Sequence, residues 1–582
     1  MKNLFFFVGI LLCINTAYSQ LNVRNDYYIY ANDEVLFVTD NVNLQEADSK
    51  IYLRNDSQLV QGTGTTGNSG VGELSIQQNG TTNEYTYNYW CSPIGNNSAS
   101  TGNENFRANL IDDATGPISS NDSNFTSNHN GTTSPLTISR RWIYTFVGGT
   151  DYTDWVYVGD AGNISPGLGY TMKGTNGSGN NQLYDFRGKP NNGTIANTIV
   201  SDSWTLIGNP YPSAIDALDF IHDTDNIAAI NGTLYYWEQD LSVSSHSLTQ
   251  YVGGYATYTI NAAGTVETFV PAPFNTYNAD GSINTSGSGS TSGKQARRYI
   301  PVGQGFIVEG NTVTSGIVRV KNSHREYYKQ SDAASEFFRS ESNDRAEYTE
   351  LPDDYKRFRL NVDFENNITR QLVQTFHDTE ATDGFDYGLE SKVGIGTKDA
   401  YWVIEDEAYL SQALSFDTDK TIPFTIEITN EQEITIRLTD IQHFDDQQSI
   451  YIHDIQTNEY TNIRTTPFQT LLDKGTYNNR FEITFTNPVD ENKTLSIETT
   501  EENKVKIHQN NNLKVLHISS FNDEQITEVT IHDTSGNLVY TSRDLPINNK
   551  IEIDTGHLSN GVYITQVVYN NKKASAKILV KN

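Results

Sequence analysis

Short segments in which apolar and polar residues alternate recur along most of the chain, and they constrain its fold more than any other feature. Clear examples are Arg357–Val362, Ile434–Leu438 and Arg480–Phe485. A period of two places every second side chain on one face of a β-strand. Glycine, asparagine and aspartate separate the segments, as they do in turns between short strands. The pattern predicts an all-β protein built from several β-sandwich-like modules in series.

Residues 1–19 have the features of a secretory signal peptide. A lysine precedes the apolar run Leu4–Ile14, which is too short to span a bilayer as a stable helix, and Ala17-Tyr18-Ser19 is a small-x-small cleavage pattern. We therefore predict cleavage between Ser19 and Gln20. No later apolar stretch approaches 18 residues, so we expect no transmembrane segment in the mature chain.

The balance of charge excludes one class of partner. Lysine and arginine total 40 against 71 aspartates and glutamates, a net charge of −31, and removal of the signal peptide with its single lysine makes it −32. A nucleic-acid-binding protein needs a basic surface to neutralise phosphates, so we expect no nucleic-acid partner. Cys91 would be the one cysteine of the mature chain, which excludes an intramolecular disulfide and favours a buried, inert thiol.

Changes in pattern along the chain suggest where its domains begin and end. Short, irregularly spaced apolar runs in residues 20–85 suggest strands stacked as a small β-solenoid-like cap. The other predicted regions are β-module 1 (86–200), β-module 2 (201–322), a charged connector (323–356), a β-sandwich (357–487) and a compact seven-strand, immunoglobulin-like sandwich (500–582).

An internal echo supports the pair of modules. The segment Gly167–Gly174 and the segment Gly303–Gly310 both read G-x-G-aromatic-x-apolar-charged-G, and a proline precedes each. Glycine at alternate positions before an aromatic residue suits a strand that another backbone approaches closely. The pattern lacks the third glycine and the following helix of a dinucleotide-binding loop, so we do not expect that cofactor.

The last predicted domain resembles the type A C-terminal sorting domain of the type IX secretion system of the Bacteroidota. Two stretches carry the likeness, Val529–Tyr540 and His557–Ile564, together with a lysine-rich final strand. The resemblance implies Sec export to the periplasm, passage across the outer membrane by the type IX machinery, and a final location at the cell surface or in the medium. The motif residues that it marks are Asp533, Gly536, Asn560, Gly561, Tyr563 and Lys577.

The preceding chain resembles large surface proteins of flavobacteria. The likeness rests on segments such as Asn88–Pro93, Gly188–Gly193, Gly208–Ser213 and Ala381–Tyr387. It supplies no catalytic residues that could be transferred to this sequence.

Motifs that carry chemistry are absent from the sequence. It contains no nucleophile elbow, zinc-protease motif, paired-cysteine motif or phosphate-binding loop. Aspartates in His222–Asn226 and Asp383–Asp386 could provide oxygen ligands for Ca²⁺, although neither segment completes an EF-hand loop. The alternative is that these aspartates accept hydrogen bonds from their own turns, and we favour it. We therefore expect no catalytic residue and no cofactor, with Ca²⁺ as the one open case.

Aromatic residues on predicted strands allow a second kind of site. In Tyr235-Tyr236-Trp237 and in Tyr401-Trp402, one face should pack in a core, and outward-facing rings could stack on sugars. The leading hypothesis is an exported, non-catalytic protein for adhesion or for binding a glycan or another surface. The alternatives are a polysaccharide-acting enzyme or accessory carbohydrate-binding protein, and a structural surface-layer component.

Overall fold

The computed structural model confirms the all-β class. It describes residues 20–62, 67–178, 181–285, 294–311, 315–332, 334–335, 348–365, 368–393, 399–487, 505–511, 513–520, 525–543, 545, 550–569 and 572–581. The chain separates into two compact units, Met1–Phe485 and Thr486–Asn582. The predicted signal peptide and Ser19 lie outside the described residues, which begin at Gln20. No helix among the described residues is both long and apolar enough to cross a membrane.

The first strands stack in parallel, as predicted for a solenoid-like cap. The first rung pairs with the second at Leu21↔Val42, Tyr28↔Lys50 and Val35↔Gln58. Apolar residues such as Leu53 and Leu59 point inward and are buried. The strands are β1 (Leu21–Val23), β2 (Tyr28–Asn32), β3 (Val35–Val38), β4 (Val42–Leu44), β5 (Lys50–Arg54), β6 (Gln58–Gln61) and β7 (Glu73–Thr81).

The next strands continue from this cap without a break in hydrogen bonding, because the second-last of them pairs with β7 over eight residues. Trp90 and Phe186 pack at the centre of the shared core, and Cys91 is buried. The strands are β8 (Tyr87–Cys91), β9 (Ile94–Gly95), β10 (Ile111–Ala114), β11 (Ser120–Asp122), β12 (Asn124–Thr126), β13 (Thr137–Ser139), β14 (Tyr144–Thr145), β15 (Val156–Tyr157), β16 (Gly169–Lys173), β17 (Asn181–Pro190) and β18 (Ile195–Ile199). Short 3-10 helices lie at Ala108–Leu110, Arg140–Trp142 and Tyr152–Asp154.

A second sheet has the strand order β19-β27-β21-β22-β24-β25, with β23 paired to β22. Other strands of this part of the chain lie outside that sheet, since β20 pairs with β26 and β29, and β28 pairs with β18. The elements are β19 (Trp204–Gly208), β20 (Ala214–Asp216), α1 (Ala217–Ile221), α2 (Thr224–Ile227), β21 (Ile230–Gln239), β22 (Val252–Ile260), β23 (Glu267–Val270), β24 (Asn275–Tyr277), β25 (Ile283–Thr285), β26 (Tyr299–Ile300), β27 (Gly305–Gly310), β28 (Gly316–Val320) and β29 (Arg325–Glu326). Short 3-10 helices lie at Leu248–Gln250 and Asn322–His324.

The two echo segments exchange contacts. Each forms an antiparallel pair within its own copy, β16 with β8 and β27 with β19. Leu168, just before β16, bridges to Ile207 on β19, while Gln304, just before β27, bridges to Trp90 on β8. The bond from Cys91 N to Gly303 O (2.9 Å) has a counterpart from Gly208 N to Gly167 O (3.2 Å). The four strands therefore join in a closed ring in which each copy contacts the other at equivalent positions.

The remaining strands of the first unit form one sheet in the order β38-β37-β40-β35-β33-β34-β31-β30-β36-β39, with β32 paired to β34. They enclose a core that includes Phe358, Trp402 and Phe481. They are β30 (Lys356–Phe364), β31 (Ile368–Phe376), β32 (Ser391–Lys392), β33 (Ala400–Ile404), β34 (Glu407–Leu414), β35 (Thr421–Ile428), β36 (Gln432–Gln442), β37 (Tyr451–Asp454), β38 (Glu459–Asn462), β39 (Phe468–Leu472) and β40 (Gly475–Thr484).

The second unit contains seven strands among its described residues, in sheets ordered β41-β42-β45 and β44-β43-β46-β47. Leu516, Val529 and Val567 belong to the core that the two sheets share. The seven-strand sandwich agrees with the fold class predicted for this region. The strands are β41 (Val505–Asn510), β42 (Val515–Ser520), β43 (Ile526–Asp533), β44 (Leu538–Ser542), β45 (Lys550–Asp554), β46 (Gly561–Tyr569) and β47 (Lys572–Val580).

Candidate functional site

A cleft of about 1000 Å³ lies in the first unit, and nearly half of the residues that line it are aromatic. Its volume is in the range of small-molecule and cofactor sites in proteins. Four of the six tryptophans of the chain contribute to it. We call it the aromatic cleft and define it by its twelve rings: Tyr87, Tyr89, Trp142, Tyr144, Phe146, Tyr152, Trp155, Trp204, Trp237, Tyr251, Tyr255 and Tyr277.

Strand alternation explains how one sequence supplies both the core and the cleft. On β8, Tyr87 and Tyr89 face the cleft, while Trp90 points to the opposite side and packs in the core. On β21, Trp237 lines the cleft and Tyr236 is buried in the core of the second sheet. Because successive side chains of a strand point to opposite faces, each of these strands serves two layers at once.

The floor of the cleft is a set of rings in mutual contact. Tyr89 and Trp237 lie nearly parallel, with centroids 6.2 Å apart and planes inclined by 10°. Trp204 and Tyr255 meet edge to face at 5.0 Å. The hydroxyl groups of Tyr89 and Tyr255 are 2.8 Å apart, and burial raises the pKa of both, so both stay neutral and share a hydrogen bond. Rings held in this way present fixed apolar faces with hydroxyl groups beside them.

The rim is more exposed and more polar than the floor. Tyr152 is 47% exposed, and Asp151 and Asp280 lie on the same rim. Gly281 packs directly against Tyr152, because a Cβ atom on Gly281 would lie 2.3 Å from the Cβ of that tyrosine. Its φ of +85° also suits glycine. Glycine at position 281 therefore allows this loop to approach Tyr152 closely.

Arg370 is the one cationic side chain among the described residues that line the cleft. Its guanidinium donates to both carboxylate oxygens of Asp399, at 2.6 and 3.1 Å, and both side chains are buried. A bidentate pair of this kind fixes the arginine in place. The positive charge of Arg370 is therefore already balanced within the protein.

Sequence reasoning identified only part of this site. The pattern of Tyr235-Tyr236-Trp237 left open which ring faces outward; Trp237 lines the cleft, whereas Tyr235 is fully buried. Trp142, Trp155 and Tyr251 were missed because they lie on short 3-10 segments and loops with no strand pattern. Trp402, also considered as a strand ring, is fully buried in the core of the third sheet.

The aspartates considered for Ca²⁺ have protein partners. Asp223 caps α2 by accepting from Asp225 N at 2.9 Å, and it also accepts from Lys321 Nζ at 2.8 Å. The side chain of Asp383 pairs with Lys420 Nζ at 2.9 Å, while that of Asp386 accepts from Thr382. Among the described residues, no group of three or more histidine, cysteine, aspartate or glutamate side chains could hold a metal ion. Binding of Ca²⁺ stays an untested alternative to the turn-capping role that we favour for these aspartates.

Asp533, Gly536 and Tyr563 of the predicted sorting motif lie close together on the second unit. Asp533 ends β43 opposite Tyr563 on β46 and accepts from the backbone of Ser535 and of Asn537 at 2.9 and 2.8 Å. Hydrogen bonds lower the pKa of Asp533, and the largest contribution comes from the Asn537 side chain. Gly536 has a φ of +84°, as the turn requires.

The other motif residues lie along the same sheet. Asn560 comes directly before β46, and Gly561 is the first residue of that strand. Neither residue has the positive φ that an Asn-Gly turn would suggest. Gly561 already pairs with Val580 within the sheet. Lys577 is exposed on β47, opposite Ile564. Their role in sorting remains a prediction.

Comparison with known proteins gives two matches along the sequence. A family model described as "Domain of unknown function (DUF8693)" matches residues 118–485, more than half of the chain. This span contains all the rings of the aromatic cleft except Tyr87 and Tyr89. A second model, described as "Secretion system C-terminal sorting domain", matches residues 483–581. No curated protein matches the chain.

One solved structure, titled "Biofilm associated protein - BSP domain", aligns over 88% of this chain and 90% of its own length. The sequence identity is 9% and the TM-score is 0.13. At that score the alignment gives no information about fold or function.

Proposed function

We propose that this chain, which belongs to the DUF8693 family of domains of unknown function, is an exported protein that binds a glycan in its aromatic cleft. The sorting domain at residues 483–581 indicates secretion through the type IX system to the cell surface or the medium. The binding role goes beyond that match. It rests on one observation, the concentration of twelve aromatic rings, four of them tryptophan, in a single cleft.

The chemistry of the cleft suits a sugar ring. The C–H bonds on one face of a pyranose form an apolar surface that can stack on tryptophan or tyrosine, while its hydroxyl groups need hydrogen-bond partners. The floor supplies fixed ring faces, and the exposed side chains of Thr150, Asp151 and Thr153 supply polar groups at the rim. A mainly apolar lining with a few placed polar groups is the usual composition of a ligand site. The cleft therefore supports adhesion or binding as the function.

Tyr152 allows a test that does not disturb the core, because the ring is 47% exposed and lines the cleft. A glycan array on the mature chain would first identify a ligand, and titration calorimetry would then measure its affinity. We expect Tyr152→Ala to weaken binding about two- to tenfold, the range for one lost aromatic contact. Tyr27→Ala is the matched control, because Tyr27 is 70% exposed and lies outside the cleft.

The result can contradict the proposal in two ways. Equal affinities of Tyr152→Ala and Tyr27→Ala would show that the ligand binds elsewhere, and the absence of any glycan ligand would remove the proposal altogether. The same samples separate the alternatives. Release of shortened oligosaccharides from a bound polysaccharide would identify an enzyme, and concentration-dependent self-association without a ligand would indicate a surface-layer component.

A further inference from the structure

Lys173, at the end of β16, is a buried lysine surrounded by aromatic rings. It is 4% exposed. Its Nζ atom lies 4.1 Å from the ring centroid of Trp142, 4.6 Å from that of Tyr87 and 4.7 Å from that of Tyr251. A cation within about 6 Å of a ring face is attracted to it, and the attraction increases when water is excluded. We call Tyr87, Trp142 and Tyr251 the amine cage.

The hydrogen bonds of Lys173 go to neutral groups. The amine donates to Tyr251 Oη at 2.7 Å and contacts His246 Nδ1 at 3.1 Å. Glu84 accepts from Asn130 Nδ2, so Asn130 Oδ1 must accept from His246 Nε2. That leaves His246 Nδ1 as an acceptor for the lysine. Among the described residues, no carboxylate forms an ion pair with Lys173.

The cage connects three segments that are far apart in sequence. Tyr87 is on β8, Trp142 is on a 3-10 segment and Tyr251 follows another 3-10 segment. All three rings line the aromatic cleft, with Lys173 behind them. The echo places Glu309 at the equivalent position in the second copy, where it is also buried and accepts from the hydroxyl of Tyr235. In both copies, therefore, the charged residue of the echo segment is buried and contacts aromatic side chains.

We infer that Lys173 is a positioning residue of the aromatic cleft, whose ammonium group holds Tyr87, Trp142 and Tyr251 in the arrangement that receives the ligand. The inference rests on the proposed function for its biological meaning. The geometry of the amine cage does not depend on the proposed function. Lys173 acts through the rings, because they separate it from the cleft and it contributes no surface to the lining.

The attraction between the Lys173 ammonium group and the rings of the amine cage should depend on pH near neutrality. Burial lowers the pKa of Lys173 to about 7 and, together with the charge of Lys173, that of His246 to about 4. Burial raises the pKa values of Tyr87 and Tyr251. His129 lies directly against Trp142, with ring centroids 5.7 Å apart, and Glu84 lies further out, at Asn130. Deprotonation of Lys173 between pH 6 and 8.5 should remove its attraction to the three rings, and His129 is replaced in the test below because its imidazole also contacts Trp142.

The first test needs no ligand. The test uses protein that carries His129→Gln, so that no imidazole at this position contacts Trp142. In this protein labelled with 5-fluorotryptophan, the ¹⁹F signal of Trp142, assigned by its loss in Trp142→Phe, should shift with a midpoint near pH 7. When Lys173→Met is added, which keeps the length of the side chain but not its charge, the signal should not titrate. A flat titration while Lys173 is present, or an unchanged titration after Lys173→Met is added, would overturn the inference. Either outcome is independent of whether a glycan binds.

The second test uses the glycan identified on the array. Wild-type affinity should fall about three- to tenfold between pH 6 and pH 8.5, and Lys173→Met should bind with the weaker affinity at both values. Circular dichroism would verify that the variant is folded, and Lys173→Arg, which keeps the positive charge, should recover affinity at pH 8.5. Equal, pH-independent affinities of the wild type and Lys173→Met would contradict a positioning role while leaving glycan binding intact.

Discussion

Replacement of Gly305 by alanine should destabilise the first unit, and the structure gives the reason. A Cβ atom at this position would lie 2.8 Å from Trp90 N and Tyr89 C and 2.9 Å from Trp90 O. All three are backbone atoms of β8, which is held on its other side by five residue pairs with β16. The strand cannot retreat without breaking these bonds, so we expect a loss of about 1–3 kcal/mol, as for overpacking of a tight core.

Gly475→Ala is the matched control. The nearest atoms to its added Cβ would be ring carbons of Tyr477 at 3.7 Å or more, an ordinary contact, and the backbone does not have a positive φ. Alanine at a compatible glycine position stabilises by about 0.4–1 kcal/mol, because it reduces the freedom of the unfolded chain. The two variants should therefore differ by about 1.5–4 kcal/mol, with Gly305→Ala the weaker.

Urea unfolding followed by tryptophan fluorescence would measure the difference, since Trp90 is fully buried beside the substitution. With an m-value of about 3 kcal/mol/M, the midpoints should separate by about 0.5–1.3 M. Hydrogen exchange gives a local measure, because Cys91 N donates to Gly303 O at 2.9 Å next to Gly305. Coincident midpoints together with unchanged protection of the Cys91 amide would refute the close-approach argument.

Three further predictions follow from other parts of the chain. Deletion of residues 500–582 should leave the protein in the periplasm, and normal delivery of the truncated protein in cell fractionation would contradict the sorting role. Between pH 7 and 10, the unfolding free energy of the wild type should rise relative to that of Lys173→Met by up to about 1.4 kcal/mol per pH unit. Burial lowers the pKa of Lys173, so over this range the folded protein has lost the proton that the unfolded chain still binds. A difference that stays constant with pH would contradict the lowered pKa of Lys173. Asp399→Ala should lower the unfolding free energy by about 3–5 kcal/mol, because it leaves the buried Arg370 without its carboxylate partner. Asp383→Ala is the control, since this aspartate is 85% exposed in its ion pair, and it should cost less than about 1 kcal/mol. Equal midpoints of the two variants in urea unfolding would contradict the prediction.

The strand pattern of this chain could be predicted because burial of one face leaves a period of two in the sequence. Ile434 and Ile436 on β36 are buried, as their alternation suggests. The parallel register of the cap was harder to derive. Its paired residues are 21, 22 and 23 positions apart at Leu21, Tyr28 and Val35, so unequal turns hide the repeat.

The aromatic cleft could not be derived, because its rings come from segments that meet only through tertiary structure. Tyr87 and Tyr277 are separated by 190 positions, and nothing in the local pattern of either predicts a shared surface. The burial of Lys173 was equally hidden. A lysine on a strand is expected to face water, and the three neutral rings that surround it lie on other elements.

The ring of strands that joins the two echo copies determines which parts of the chain form the floor of the aromatic cleft. Its swapped contacts, Leu168 to Ile207 and Gln304 to Trp90, have the reciprocal form of an interface between the halves of a twofold dimer. Tyr89 comes from one half and Trp237 from the other, so the floor of the cleft is itself a seam. A molecule bound across both halves would stabilise the folded unit, because it would bind the native arrangement of these rings and not the unfolded chain.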